Sequence, residues 1–137
     1  MNKLLAQTLE VIEKESGDFD QSFDLVDQLI ERYGEADLTN RLYQEMSLDI
    51  NWKVVADLYA ILIWSTNDNG YALMRTVEQW LNEKNDERKI KIALNLDVYP
   101  FKEKKTMKKT LKEISMIFPE LSEMCGRLIE SRERISA

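Results

Sequence analysis

The chain has 137 residues with 25 acidic and 19 basic side chains, so its formal net charge is -6. It contains one cysteine and no histidine, which excludes an internal disulfide and a cysteine-rich zinc site and removes the usual acid–base group near neutral pH. Hydrophobic residues make up 44% of the chain, enough to fill a core, and the length predicts a single domain over residues 1–137.

The N-terminal segment and the uncharged stretches bear on location. The apolar residues near the N-terminus are interrupted by Gln7, Thr8 and Glu10, so they do not form the apolar core of a signal peptide. The longest uncharged stretch, residues 58–67, is far shorter than the ~20 residues that span a bilayer. These features predict a cytoplasmic protein without membrane association. Cys125 lies in an apolar helical pattern, which predicts a buried thiol.

Helical periodicity dominates the first half of the chain. The first helix should end at Gly17 and the second at Gly34, and Asp37 is placed to cap a third. Residues 51–65 are apolar on more than one side, which predicts a central helix. A turn at 66–70 leads to a fifth helix, so residues 51–84 should form an antiparallel hairpin. The apolar stripe predicted for the second helix comprises Phe19, Phe23, Val26, Ile30 and Tyr33, widened by Leu25 and Leu29.

The stretch 89–98 is compatible with two kinds of structure. Five apolar residues alternate strictly between positions 90 and 98, as in a strand, whereas Asp86 is a suitable helix N-cap. We favour the helix, because no other segment alternates convincingly and a strand would have to pair with another molecule.

Two more helices follow, from about Lys102 and from Pro119. The sequence therefore predicts an all-α fold of seven or eight short helices in antiparallel hairpins, arranged as a bundle or a short HEAT-like solenoid.

The acidic residues are concentrated near the N-terminus. Residues 1–50 hold 12 acidic and four basic side chains, whereas residues 102–137 hold six acidic and nine basic ones. Four carboxylates of the second helix follow the spacing i, i+4, i+7 and i+11, which places them on one side of that helix. We call these residues the acidic row: Asp20, Asp24, Asp27 and Glu31. They could bind a basic protein partner, or form a solvated face that keeps the protein soluble.

The acidic row is also the candidate for a carboxylate metal site. Some helical phosphohydrolases bind Mg or Mn through carboxylates, but these usually come from two or more facing helices. The row lies on a single polar face, and the turn at 66–70 lacks acids at the first and last ligand positions of a calcium loop. We therefore expect no catalytic residue, no metal and no cofactor. A helical, metal-dependent phosphohydrolase is the alternative.

A basic cluster lies in the last third of the chain and consists of Lys102, Lys104, Lys105, Lys108, Lys109 and Lys112. It could meet phosphate, acidic lipid or the acidic part of a second copy, or form a solvated helix face. No aromatic residue interrupts it, which argues against binding of single-stranded nucleic acid. We expect no nucleic-acid partner, and self-association into an adaptor or homo-oligomer is a further alternative.

Trp64 and Tyr71 flank the turn at 66–70, so we expect them to be partly exposed and to contact a partner.

The segment LIWSTNDNGYAL, residues 62–73, resembles the helix–turn–helix joint of HEAT-like repeats. A small, acidic, all-helical protein built this way is similar to bacterial immunity proteins of polymorphic-toxin and contact-dependent inhibition systems. The resemblance implies a non-catalytic protein that neutralises a cognate toxin, often a basic nuclease, by binding and occluding it.

Overall fold

The structure is a computed structural model that describes residues 1–135, and these contain eight α-helices, one short 3-10 turn and no β-strand. The predicted all-α fold of seven or eight helices is confirmed. No helix within these residues is long and apolar enough to cross a membrane. The helices are α1 (Lys3–Glu15), α2 (Asp20–Tyr33), α3 (Leu38–Glu45), α4 (Trp52–Ser65), α5 (Tyr71–Glu83), α6 (Glu87–Ala93), α7 (Lys104–Ile117) and α8 (Ser122–Ile135), with the 3-10 turn at Pro119–Leu121.

The chain divides into two compact units, Met1–Thr76 and Val77–Ala137, and the boundary falls within α5. In the first unit, α1, α2 and α4 pack against one another. Helix α4 buries eight side chains between Val54 and Ile63, as its apolar circumference predicts for a central helix. Within its buried set, Tyr59 donates its hydroxyl to the backbone carbonyl of Thr39 over 2.9 Å, which ties α4 to α3.

The face that α2 buries agrees with the predicted stripe at Val26 and Leu29 and differs from it at the start of the helix. Ser22, Val26 and Leu29 are its buried residues, whereas Phe23 is 39% exposed. The cause is a contact with the end of α1, because the Glu15 carboxylate accepts hydrogen bonds from the backbone N–H and the hydroxyl of Ser22. These bonds satisfy the polar side chain of Ser22, so it can be buried at little cost.

One predicted cap is wrong. Asp37 occupies the N-cap position of α3, but its side chain accepts no hydrogen bond from the backbone N–H groups in the first turn of that helix. Its backbone is left-handed, with φ of 49°, and its Oδ1 accepts instead from the side-chain amide of Asn40 over 3.0 Å. A capping residue normally has extended dihedrals, and the left-handed ones of Asp37 direct its carboxylate elsewhere.

In the second unit, the helical interpretation of the stretch 89–98 is confirmed for residues 89–93, whereas residues 94–98 form a loop and no strand. The Asp86 carboxylate caps α6 by accepting from the backbone N–H of Lys89 over 3.1 Å, and the helix ends at Ala93. The following loop buries Leu94 and Leu96 and turns at Asp97, which has φ of 62°. The apolar alternation therefore arises from a helix followed by a buried loop, not from a strand.

Helices α7 and α8 pack against each other and against the 3-10 turn between them. Cys125 of α8 is buried, as predicted, and this burial raises the pKa of its thiol. Arg132 donates to the backbone carbonyls of Pro100 and Lys102 over 2.9 and 3.0 Å, which fastens the segment before α7 onto α8.

Candidate protein-binding site

The structure places all four residues of the acidic row on the exposed side of α2. At 3.6 residues per turn, the centre of the row lies roughly 160° around the helix from the buried Ser22, Val26 and Leu29. The first and last carboxylates are eleven residues apart, so the row extends about 16 Å along the helix axis. The periodicity of the sequence predicts this outward orientation correctly.

The charge of the acidic row is not compensated locally. Within residues 1–135, none of its four carboxylates forms a salt bridge or accepts a side-chain hydrogen bond. The first unit as a whole holds 14 acidic and six basic side chains. Successive carboxylates of the row repel one another at spacings of three or four residues. The row therefore presents a band of negative potential to solvent.

Both ends of α2 are held in place by carboxylates from outside the helix. At the N-terminal end, the Glu15 carboxylate accepts from the backbone N–H groups of Gln21 and Ser22 over 2.9 and 2.8 Å. The hydrogen bond from the Ser22 hydroxyl is the main reason that the pKa of Glu15 is lowered. At the C-terminal end, the Glu35 carboxylate accepts from the backbone N–H of Asn67 over 3.3 Å. The row is therefore carried by a helix that is fixed at both ends.

The turn that Glu35 contacts is itself tightly hydrogen-bonded. The Asp68 carboxylate accepts from the Thr66 hydroxyl over 3.1 Å and from the backbone N–H groups of Gly70 and Ala72 over 3.0 and 2.9 Å. The bond from Ala72 is the main reason that the pKa of Asp68 is lowered. Gly70 has φ of 80°, and a Cβ atom there would lie 2.8 Å from Cγ2 of Ile63. This position therefore requires glycine.

Two aromatic side chains project from either side of this turn. Trp64, near the end of α4, is 69% exposed, and Tyr71, at the start of α5, is 63% exposed. The Arg75 guanidinium lies over the Tyr71 ring, 5.1 Å from its centroid. Tryptophan, tyrosine and arginine are the residue types most enriched at energetically dominant positions of protein interfaces. We call Trp64, Tyr71 and Arg75 the aromatic turn.

The structure brings the end of α2 and the aromatic turn together through Glu35, which lies four residues beyond the last member of the acidic row. Sequence reasoning missed Glu35, because its partner Asn67 is 32 residues away in the chain. It also missed Arg75, although the i, i+4 spacing from Tyr71 indicates such a pair. The contact between Glu35 and Asn67 thus joins the two segments that carry the predicted partner-binding residues.

The small cavity between the start of α3 and the turn at 66–70 is not a ligand site. Its volume is about 30 Å³, room for about one water molecule, and its lining includes Glu35, Asp37 and Asp68. Within residues 1–135, no group of three or more carboxylate, thiol or imidazole side chains is arranged to hold a metal ion.

Comparisons with protein-family models, with curated protein sequences and with solved structures return no match for the chain.

Proposed function

We propose that this is a non-catalytic binding protein that neutralises a basic toxin domain by occlusion, as bacterial immunity proteins do in the cytoplasm. The observation that carries the proposal is the uncompensated acidic row on an exposed face of α2, a helix fixed at both ends. The resemblance of residues 62–73 to the joint of HEAT-like repeats supports the same function.

The acidic row and the aromatic turn have complementary physical roles in this proposal. A band of negative potential about 16 Å long attracts a basic surface and speeds encounter. Trp64 and Tyr71 then supply apolar contact area, which slows dissociation. Because Glu15, Glu35 and Asp68 already hold the helix and the turn, little conformational entropy remains to be lost on binding.

The alternative of a metal-dependent phosphohydrolase is less well supported by the geometry. Carboxylate metal sites of that kind draw ligands from facing helices, whereas the acidic row belongs to one helix and points into solvent. The alternative of a self-associating adaptor draws on the exposed lysines of α7, Lys105, Lys109 and Lys112.

The test has two steps: the neighbouring genes are searched for one that encodes a basic toxin domain, and the affinity of that domain for this protein is measured by calorimetry. The variant D20N/D24N/D27N/E31Q removes four exposed charges worth ~0.2–1 kcal/mol each, so Kd should rise by a factor of roughly 4 to 900. W64A/Y71A should raise the dissociation rate and leave the association rate nearly unchanged. As a control, E13Q/E130Q neutralises two exposed acids outside the site and should bind like the wild type. Unchanged affinity of both site variants would overturn the proposal.

A further inference from the structure

Helix α7 carries a basic face whose spacing matches that of the acidic row. Lys105, Lys109 and Lys112 are exposed and follow one another at steps of four and three residues. Met116 takes the next position, four residues on, and is 82% exposed. This face lies roughly 180° around the helix from the side that packs on the rest of the unit. The buried residues on that side are Met107, Thr110, Leu111 and Ile114.

The positive charge of this basic face is only partly neutralised. Lys108, beside it, pairs with Glu133 over 2.9 Å, and this contact lowers the pKa of Glu133, with smaller contributions from Lys104 and Lys112. Lys105 and Lys109 form no ion pair within residues 1–135. An unpaired basic face next to an exposed apolar side chain indicates a contact surface for an acidic partner that also presents an apolar group.

The acidic row has that chemistry. Its steps are four, three and four residues, and the basic face with Met116 repeats the same steps along α7. The pattern is symmetric, so the two faces match in either direction. The antiparallel direction pairs Lys105 with Glu31, Lys109 with Asp27 and Lys112 with Asp24. It also brings Met116 to the end of α2 where Phe23 is 39% exposed.

We propose that two copies of this chain associate head to tail, with the basic face of α7 from one copy docked antiparallel on the acidic row of another. The side chains of both faces are exposed, so each face is available to a second copy. The contact is heterologous, because each copy contributes a different surface. It shares the acidic row with the proposed function, so a basic partner competes with the second copy for α2.

The test is sedimentation velocity over a series of protein concentrations at low and high salt. At roughly 0.5 M salt the screening length falls to about 4 Å, so the association constant should drop at least roughly tenfold from its value at ~50 mM. D24K/D27K and K109E/K112E should each sediment as monomers at ~50 mM salt. An equimolar mixture of the two variants should associate again, because each reversed face then meets a complementary one.

Two control variants carry the same changes in net charge outside both faces. K3E/K53E alters exposed residues in the first turns of α1 and α4, where glutamate is favourable, and E13K/E130K alters exposed acids of α1 and α8. Both should associate like the wild type, and far-ultraviolet circular dichroism of every variant checks that it is folded. A wild-type monomer at low salt would overturn the proposal, as would a mixture of the reversed variants that stays monomeric.

The outcome is separable from that of the proposed function. K109E/K112E leaves the acidic row intact, so at protein concentrations where the wild type is monomeric its affinity for the basic toxin domain should equal that of the wild type, although its self-association is lost. The alternative ligand for the basic face is an anionic lipid surface. If the wild type stays monomeric and cosediments with phosphatidylserine vesicles in a manner abolished by K109E/K112E, the face is assigned to anionic lipid and self-association is refuted.

Discussion

Neutralising the centre of the acidic row should make the free protein more stable. Asp24 and Asp27 take part in all three adjacent like-charge pairs of the row, with Asp20, with each other and with Glu31. Each such pair costs a helix ~0.2–0.5 kcal/mol, so D24N/D27N should raise the free energy of unfolding by about 0.6–1.5 kcal/mol. Aspartate and asparagine have similar helix propensities, so the substitution adds no large opposing effect. For a chain of this size, Tm should increase by roughly 2–6 °C.

Urea unfolding followed by far-ultraviolet circular dichroism measures this gain. It should be present at ~20 mM salt and absent at ~1 M, where the screening length is about 3 Å. The control variant E130Q removes an exposed acid of α8 that lies three residues after Arg127 and four before Arg134, so its stability should be unchanged or slightly lower. A D24N/D27N protein no more stable than the wild type at low salt would refute the reasoning, as would a gain that persists at high salt. A change that raises stability while it weakens binding is the expected behaviour of a functional site.

Three further predictions concern the glycine of the turn, the carboxylate that holds α2 and the single thiol. G70A should lower the free energy of unfolding by about 2–4 kcal/mol, because the new Cβ is strained and meets Ile63; a loss below ~0.5 kcal/mol would contradict this. The folded-state pKa of Glu15 is lowered, so the ionised carboxylate of Glu15 stabilises the folded protein. This stabilisation is fully present above the unfolded-state pKa of ~4.5 and is lost as the pH falls through the folded-state pKa. The stability difference between wild type and E15Q should therefore be constant above ~pH 5.5 and shrink in acid, and a difference independent of pH would exclude this role. Iodoacetamide at pH ~8.5 should label Cys125 far more slowly in native protein than in urea, since burial both blocks access and raises its pKa; equal rates would show an accessible thiol.

Much of the helical framework can be predicted from sequence because its signals are local. Gly34 follows the last residue of α2, and Asp86 caps α6 through its own carboxylate. The buried face of α2 could be predicted in the same way for Val26 and Leu29, but not for Ser22. Ser22 is polar and would be placed outside by periodicity, but Glu15 from α1 supplies its hydrogen bonds and allows its burial. That interaction joins two helices, and no pattern within α2 contains it.

In the candidate site, too, some features follow from local sequence spacing and others depend on contacts between distant residues. The outward orientation of the acidic row follows from helical spacing alone, and the exposure of Trp64 and Tyr71 follows from their position beside a turn. The contact that connects the end of α2 to that turn depends on Glu35 and Asn67, which are distant in the chain. Sequence periodicity therefore predicts which faces are exposed, whereas tertiary hydrogen bonds decide which of them lie together.

The association rate constant with the basic toxin domain, measured by stopped flow as a function of salt, tests the central claim most directly. We predict that the wild-type rate falls steeply as salt is raised, because the acidic row attracts the partner before contact. The variant D20N/D24N/D27N/E31Q should associate more slowly at low salt and show a much flatter dependence, and the two proteins should converge at high salt. Identical rates and identical salt dependence for the two proteins would contradict the assignment of the acidic row as the binding surface.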